Sequence, residues 1–321
     1  MPVKLAKIPP EIQAIILPKE DISILDFLKF PLPAVALSAF TQPQTFFSTL
    51  DPTITNVEVI QKTLMPPLPV LNHLLQAKEL HQARSIFFSS HQTHSESPEQ
   101  QFEWFPMWIL SYWMETTHIW PLKRKWVLAE EGIEDRRRSK RQTDYTKGLI
   151  TQVYNALTYI SWSDTIKGFP GTALMDCLTT YLTKDWLTDE HEDQMLYLLE
   201  RELTRSRKDD RTHIANAFFI TRLVEIYKDP NRTNHYATSE GLAWLRKKGQ
   251  DFGTGTLEKL VTIANVGRNH WVAVEVDFEC SKILYGDSLG GKINEEIETA
   301  LTWWLHQHSA KHFTTGLLPI T

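Results

Sequence analysis

The chain of 321 residues is 42% hydrophobic and 23% charged, with a formal net charge of −5. This balance describes a soluble globular protein with apolar surface for two cores rather than one, and argues against a generally basic nucleic-acid binder. The longest apolar runs, at residues 14–17 and 105–114, fall far short of the ~20 residues that a helix needs to cross a bilayer. No membrane or nucleic-acid partner is therefore expected. The first twenty residues are interrupted by prolines and close on Lys19, Glu20 and Asp21, which is not a secretory signal, and the chain is read as intracellular. Two cysteines, Cys177 and Cys280, rule out a disulfide scaffold and a four-cysteine zinc site. In that setting the sequon Asn231-Arg232-Thr233 is read as chance.

Residues 1–100 are divided by prolines into short pieces, with one predicted helix over residues 71–88 and a polar loop over 89–101. An aromatic block follows, in which Trp104, Trp108 and Tyr112 recur at four-residue spacing and predict a core stripe on one helix. Two basic clusters, Lys123-Arg124-Lys125 and Arg136 to Arg141, sit about ten residues apart. They resemble a bipartite nuclear-import signal and also suit a linker. The expected division is thus a mainly helical region at 1–150, ending in a basic linker, and a second domain at 151–321.

The second half is more regular. A helical segment is expected over residues 172–187, with Cys177 packed among Leu174, Leu178 and Leu182 as an inert buried thiol. Asp189 is placed to cap the next helix, with Glu192 completing a capping box. A further helix is expected from about Arg211 to Tyr227, then a strand over 257–265. His270 to Asp277 alternates at period two, and Lys282 to Asp287 follows after a short break, so the pair reads as an antiparallel hairpin. An even loop, either Glu279-Cys280 or the four residues 278–281, sets Val276 opposite Ile283, Val274 opposite Tyr285 and Asp277 opposite Lys282. That register gives one apolar face and an opposite-charge pair on the other. It also puts Asp287 diagonal to His270 on the same face, within reach of two side chains. A carboxylate beside an imidazole can fix its tautomer and stabilise the imidazolium, which is the orienting half of a nucleophilic triad. The plain alternative is a structural hydrogen bond. Cys280 cannot complete a triad, because it lies at the turn, ten residues of strand away from His270.

Several segments together resemble the Ulp-type cysteine proteases that process SUMO and related ubiquitin-like modifiers. Asn269-His270-Trp271, followed by Tyr285-Gly286-Asp287-Ser288, is similar to the family's His-Trp strand and Asp-Ser motif. Trp186-Leu187-Thr188-Asp189 resembles its Trp-Leu-Asn-Asp opening, with Thr188 in place of Asn. Asn216 to Phe219 and Gly241 to Lys248 resemble the helices between them. The likeness spans roughly residues 165–321 and implies an α+β, papain-like fold with a small, mainly antiparallel sheet. It further implies His270 as general base and Asp287 as its orienter. Trp186 and Trp271 would roof a tunnel for the modifier's Gly-Gly tail, and Asp189 would meet a basic residue on the modifier. Passage between two indoles excludes bulkier tails sterically.

The family's oxyanion glutamine and Asp-Cys-Gly cysteine follow the Asp by some tens of residues, and the sequence stops at Thr321 before reaching them. Without a thiolate no acyl-enzyme forms, so the expectation is a peptidase domain that is inactive as written, either a fragment or a degenerate copy. A non-catalytic modifier-binding module is the alternative. No cofactor is expected. His306, His308 and His312 could begin a metal site, but no carboxylate or cysteine completes it.

Overall fold

The computed structural model describes residues 5–36, 46–77, 80, 82–87, 103–206 and 211–318. The predicted loop over 89–101 lies outside them. Two compact units emerge, one comprising Met1–Lys167 with Thr172–Lys184 and the other Gly168–Gly171 with Asp185–Thr321.

The first unit contains helices α1 (Pro10–Ile16), α2 (Ile24–Lys29), α3 (Val57–Lys62), α4 (Leu68–Leu75), α5 (Trp108–Arg138), α6 (Asp144–Leu157) and α7 (Leu178–Leu182). It also holds an antiparallel sheet of β1 (Phe46–Ser48), β2 (Ser85–Phe87) and β3 (Trp104–Pro106), and a short pair, β4 (Thr165–Ile166) with β5 (Ala173–Leu174). The long helix α5 serves two cores. Its first turns bury Leu110, Tyr112 and Trp113 beside Leu71, Leu74 and Ile86. Its later turns bury Trp126, Ala129 and Ile133 beside Phe27, Leu157 and Trp162.

Four expectations for this region change. The helix predicted over 71–88 ends at Leu75, because Ser85–Phe87 pairs between β1 and β3. Trp104 belongs to β3 and not to the helix carrying Trp108 and Tyr112. The basic clusters are not a linker as far as Arg138, since Trp126, Ala129 and Ile133 keep an apolar face running through them. Lys123 is buried, with its ammonium donating to the Phe30 carbonyl, and Arg136 donates to the carbonyls of Leu182 and Thr183. Residue 150 lies inside α6, and the last chain crossing between the two units falls between Lys184 and Asp185. Cys177 is only half-buried and ends a 3-10 turn, Met175–Cys177, ahead of the five-residue α7.

The second unit contains α8 (Asp189–Ser206), α9 (Phe218–Lys228), α10 (Pro230–Asn234), α11 (Ala243–Gly253) and α12 (Glu295–His308). Its strands are β6 (Thr212–Ile214), β7 (Lys259–Val266), β8 (His270–Asp277), β9 (Lys282–Gly286) and β10 (Thr314–Leu317), in the spatial order β10-β9-β8-β7-β6. The central pairs are antiparallel and the two edge pairs parallel, an α+β arrangement. The helix expected from Arg211 starts only at Phe218. Thr212 and Ile214 are β-branched and pair with β7 instead.

Alternate residues of the central strands, Leu260 and Ala264, Val272, Val274 and Val276, Ile283 and Tyr285, form a buried face covered by α9, α11 and α12. Fully burying side chains of this size contributes about 1.5–3 kcal/mol each. Trp304 of α12 packs edge-on against Phe219 and Phe252. Its indole N–H donates to the Tyr236 hydroxyl at 3.0 Å, and that hydroxyl bonds His308 Nε2 at 2.8 Å. His308, the middle one of His306, His308 and His312, is thereby committed to a tyrosine. The glycines of α11 permit this packing. A Cβ on Gly249 would fall under 3.0 Å from the His308 ring, and one on Gly253 equally close to the His308 carbonyl.

Candidate active site

The β8–β9 connection has the four-residue form, residues 278–281. Asp277 pairs with Lys282, Val276 with Ile283 and Val274 with Tyr285, the register expected from the charge and apolar pattern. Asp277 closes the turn by accepting from the Cys280 amide at 2.7 Å, and Ser281 takes a positive φ of 54°. Because Val272, Val274 and Val276 fill the core, His270 lies at the end of the same face of β8. Asp287, one residue beyond β9, continues the face of Ile283 and Tyr285.

The two side chains meet there, with His270 Nε2 2.7 Å from Asp287 Oδ1, and both are largely covered. Asp287 Oδ1 also accepts from the Leu289 amide at 2.7 Å. That amide, followed by the His270 hydrogen bond, holds the Asp287 carboxyl below the usual carboxylate range. An ionised Asp287 only accepts, so the Nε2 proton lies on His270 and the neutral ring carries its lone pair on Nδ1. Among the described residues no hydrogen bond engages Nδ1. The arrangement can therefore take a proton at Nδ1 while the carboxylate stabilises the resulting imidazolium.

Of the remaining predicted site residues, Trp186 and Asp189 lie near the start of the unit and Trp271 follows His270 in β8. Trp271 is half-buried, and its indole N–H donates to the Leu187 carbonyl at 3.4 Å. This bond brings the Trp186-Leu187 segment to the beginning of β8. Trp186 itself is 76% exposed. Asp189 is exposed at the first position of α8. The predicted capping box is shifted by one residue. Thr188 precedes the helix, its carbonyl accepts from the His191 and Glu192 amides, and His191 Nδ1 reaches back to the Thr188 amide and hydroxyl. Imidazole here does the work assigned to Glu192, which leaves Asp189 uninvolved in the cap. Asp193 accepts from the Ala217 amide at 2.7 Å and so ties α8 to the start of α9.

Neither cysteine forms a disulfide. Cys280 is exposed in the β8–β9 turn, on the order of 30 Å along the strand from His270. Cys177 belongs to the first unit. Sequence reasoning missed Leu289 and Gly291, whose backbones face the Asp287 carboxylate. The paired glycines directly after Asp-Ser-Leu were the available signal.

An imidazole and an ionised carboxylate paired at neighbouring strand ends have the chemistry that the base and orienter of a nucleophilic hydrolase site require. Residues 185–307 match the family described as the Ulp1 protease family, C-terminal catalytic domain. The second unit is thus similar to that family over the matched stretch, which contains Trp186, Asp189, His270, Trp271 and Asp287. No curated protein matches the chain. Similar solved structures include the C-terminal Ulp1 protease domain in complex with Smt3, the yeast ortholog of SUMO. It has 18% identity and a TM-score of 0.36, over 59% of this chain and 72% of that one. The Ulp1-like SUMO protease catalytic domain of Chaetomium thermophilum has 12% identity and a TM-score of 0.32, over 59% and 68%. Xanthomonas XopD has 19% identity and a TM-score of 0.26, over 42% and 72%.

Proposed function

We propose that the second unit carries the base, the orienter and the tail-binding wall of a cysteine peptidase or isopeptidase that acts after the Gly-Gly tail of SUMO or a related ubiquitin-like modifier. The observation that supports this reading is the 2.7 Å bond between His270 Nε2 and Asp287 Oδ1. It leaves Nδ1 as the nitrogen that would face a thiol. In this reading His270 is the general base and Asp287 fixes its tautomer. Trp186 and Trp271 bound the path of the tail, and exposed Asp189 meets a basic residue of the modifier. A side-chain-free Gly-Gly segment is what a slot between indoles admits.

In this proposal Cys280, in the β8–β9 turn, is not the thiol, and the 321-residue polypeptide binds the modifier without cleaving it, with Cys177 the cysteine that the test must address. The test uses a SUMO fusion whose scissile bond follows Gly-Gly. The polypeptide should bind and leave the fusion intact, also in a Cys177→Ser form. The same protein with a C-terminal segment bearing a family Gln and Asp-Cys-Gly motif should cleave it. Binding without cleavage by the extended protein would favour the second reading, a non-catalytic modifier-binding module. Failure of both to bind SUMO would remove this partner from the account.

Nuclear entry is proposed for the exposed basic residues that remain at the end of α5 and beyond it, Arg137, Arg138, Lys140 and Arg141. A fluorescent fusion should lose nuclear enrichment when these four are replaced by Ala. Unchanged distribution would refute the signal.

A further inference from the structure

Two adjacent glycines follow the carboxylate, and they differ. Gly290 has φ +75°, with open space where a Cβ would lie, and its amide donates to the Asp287 carbonyl at 2.9 Å. Its role is conformational, because an L side chain strains the backbone at that φ. The backbone of Gly291 lies outside the left-handed region. A Cβ there would fall under 3.0 Å from Asp287 Oδ2. That oxygen cannot simply swing aside, since the other oxygen of the same carboxylate is held by the Leu289 amide and by His270. The Gly291 amide also faces the carboxylate.

We propose that Gly291 is a positioning residue for the His270–Asp287 pair: the space left by its missing side chain is the slot that seats Asp287 Oδ2 and aims Oδ1 at the imidazole. The proposal rests on the reading of that pair as the catalytic base and orienter, but its test does not use the peptidase reaction. The turn from Asp287 to Gly291 works as a clamp in which Gly290 sets the path, the Leu289 amide grips one oxygen and Gly291 makes room for the other. Any larger residue at 291 turns the carboxylate away from both the amide and the imidazole.

The experiment is an NMR comparison of the full chain with Gly291→Ala, using Ser288→Ala in the same loop as a control. Gly291→Ala should release the Leu289 amide, seen as an upfield amide shift and faster exchange. It should also move the Asp287 carboxyl midpoint up toward the ordinary value of about 3.9 and shift the His270 Nε2 resonance at pH 7. Ser288→Ala should do none of these. A double-mutant comparison separates these effects from a general loosening of the fold by Gly291→Ala. Gly291→Ala should lower the urea midpoint by roughly 0.5–1 M in the native background and have almost no effect in an Asp287→Ala background, where the obstructed oxygen is gone. An equal loss in both backgrounds, or an unmoved Leu289 amide in Gly291→Ala, would overturn the assignment. Either result leaves the SUMO-peptidase reading untouched, and failure of SUMO binding leaves this one untouched.

Discussion

Replacing Tyr236 by Phe tests how the helical layer holds the strands that carry the site. Tyr236 is 3% exposed, and its hydroxyl accepts from the Trp304 indole at 3.0 Å and bonds His308 Nε2 at 2.8 Å. Burial pushes the phenol up to about 12, so the group remains neutral throughout the accessible pH range. Trp304 is fully buried, and its N–H loses the Tyr236 hydroxyl as acceptor in the variant. A stranded buried donor costs about 1–3 kcal/mol. His308 differs, because it lines an open cleft of about 510 Å³ with Arg246, Gln250 and Gln307. Water can rebind its ring, so its share is roughly 0.5 kcal/mol. Net destabilisation of about 2 kcal/mol is expected. The assay is urea unfolding read by hydrogen exchange at the Val274 and Val276 amides, which report the second unit alone. Tyr227→Phe, at a 39% exposed ring, is the control and should lie within about 0.5 kcal/mol of the parent. A Tyr236→Phe effect as small as the control's would refute the claim that this hydroxyl locks α12 over the sheet.

The other predictions concern titration, close packing and the tail wall. Burial, then the charge of Lys248, lowers the His213 pKa to about 4. The unfolded chain therefore binds a proton first, and stability should fall as pH drops from about 6.5 to 4, by up to roughly 3 kcal/mol. His213→Asn should flatten that stretch of the stability curve, and an unchanged slope would contradict it. Gly253→Ala must push α11 off the His308 carbonyl and should cost about 1–3 kcal/mol, measured by urea unfolding. An effect below about 0.5 kcal/mol would mean the helices separate freely. Trp271→Phe keeps a ring but loses the donor to the Leu187 carbonyl. It should speed exchange of the amides around residues 186–188 with little global destabilisation, whereas unaltered exchange would mean that this bond does not hold the segment.

The hairpin was legible in the sequence because charge and apolarity agree on one register. Asp277 and Lys282 pair only when Val274 meets Tyr285, and the His270–Asp287 meeting follows from it. The α8 cap was misassigned because Thr188-X-X-His191 uses an imidazole where a carboxylate was anticipated. The short strand β6 was absorbed into a helix, since three residues make too little pattern and its pairing with β7 is non-local. In the first unit the charge of Lys123 to Arg138 masked a buried face that only the spacing of Trp126, Ala129 and Ile133 reveals. The clamp around Asp287 was beyond reach for another reason. Amide directions and the space beside a glycine are properties of the folded loop, and the letters Gly-Gly do not state them.

The most direct test of the central claim is an NMR titration of the chain with SUMO ending in Gly-Gly, beside SUMO lacking those two residues. The account predicts that the full tail shifts the His270 imidazole and Trp271 indole resonances, and that truncation weakens binding at least about tenfold, roughly 1.4 kcal/mol. Equal affinity for both forms, with His270 and Trp271 unmoved, would contradict it.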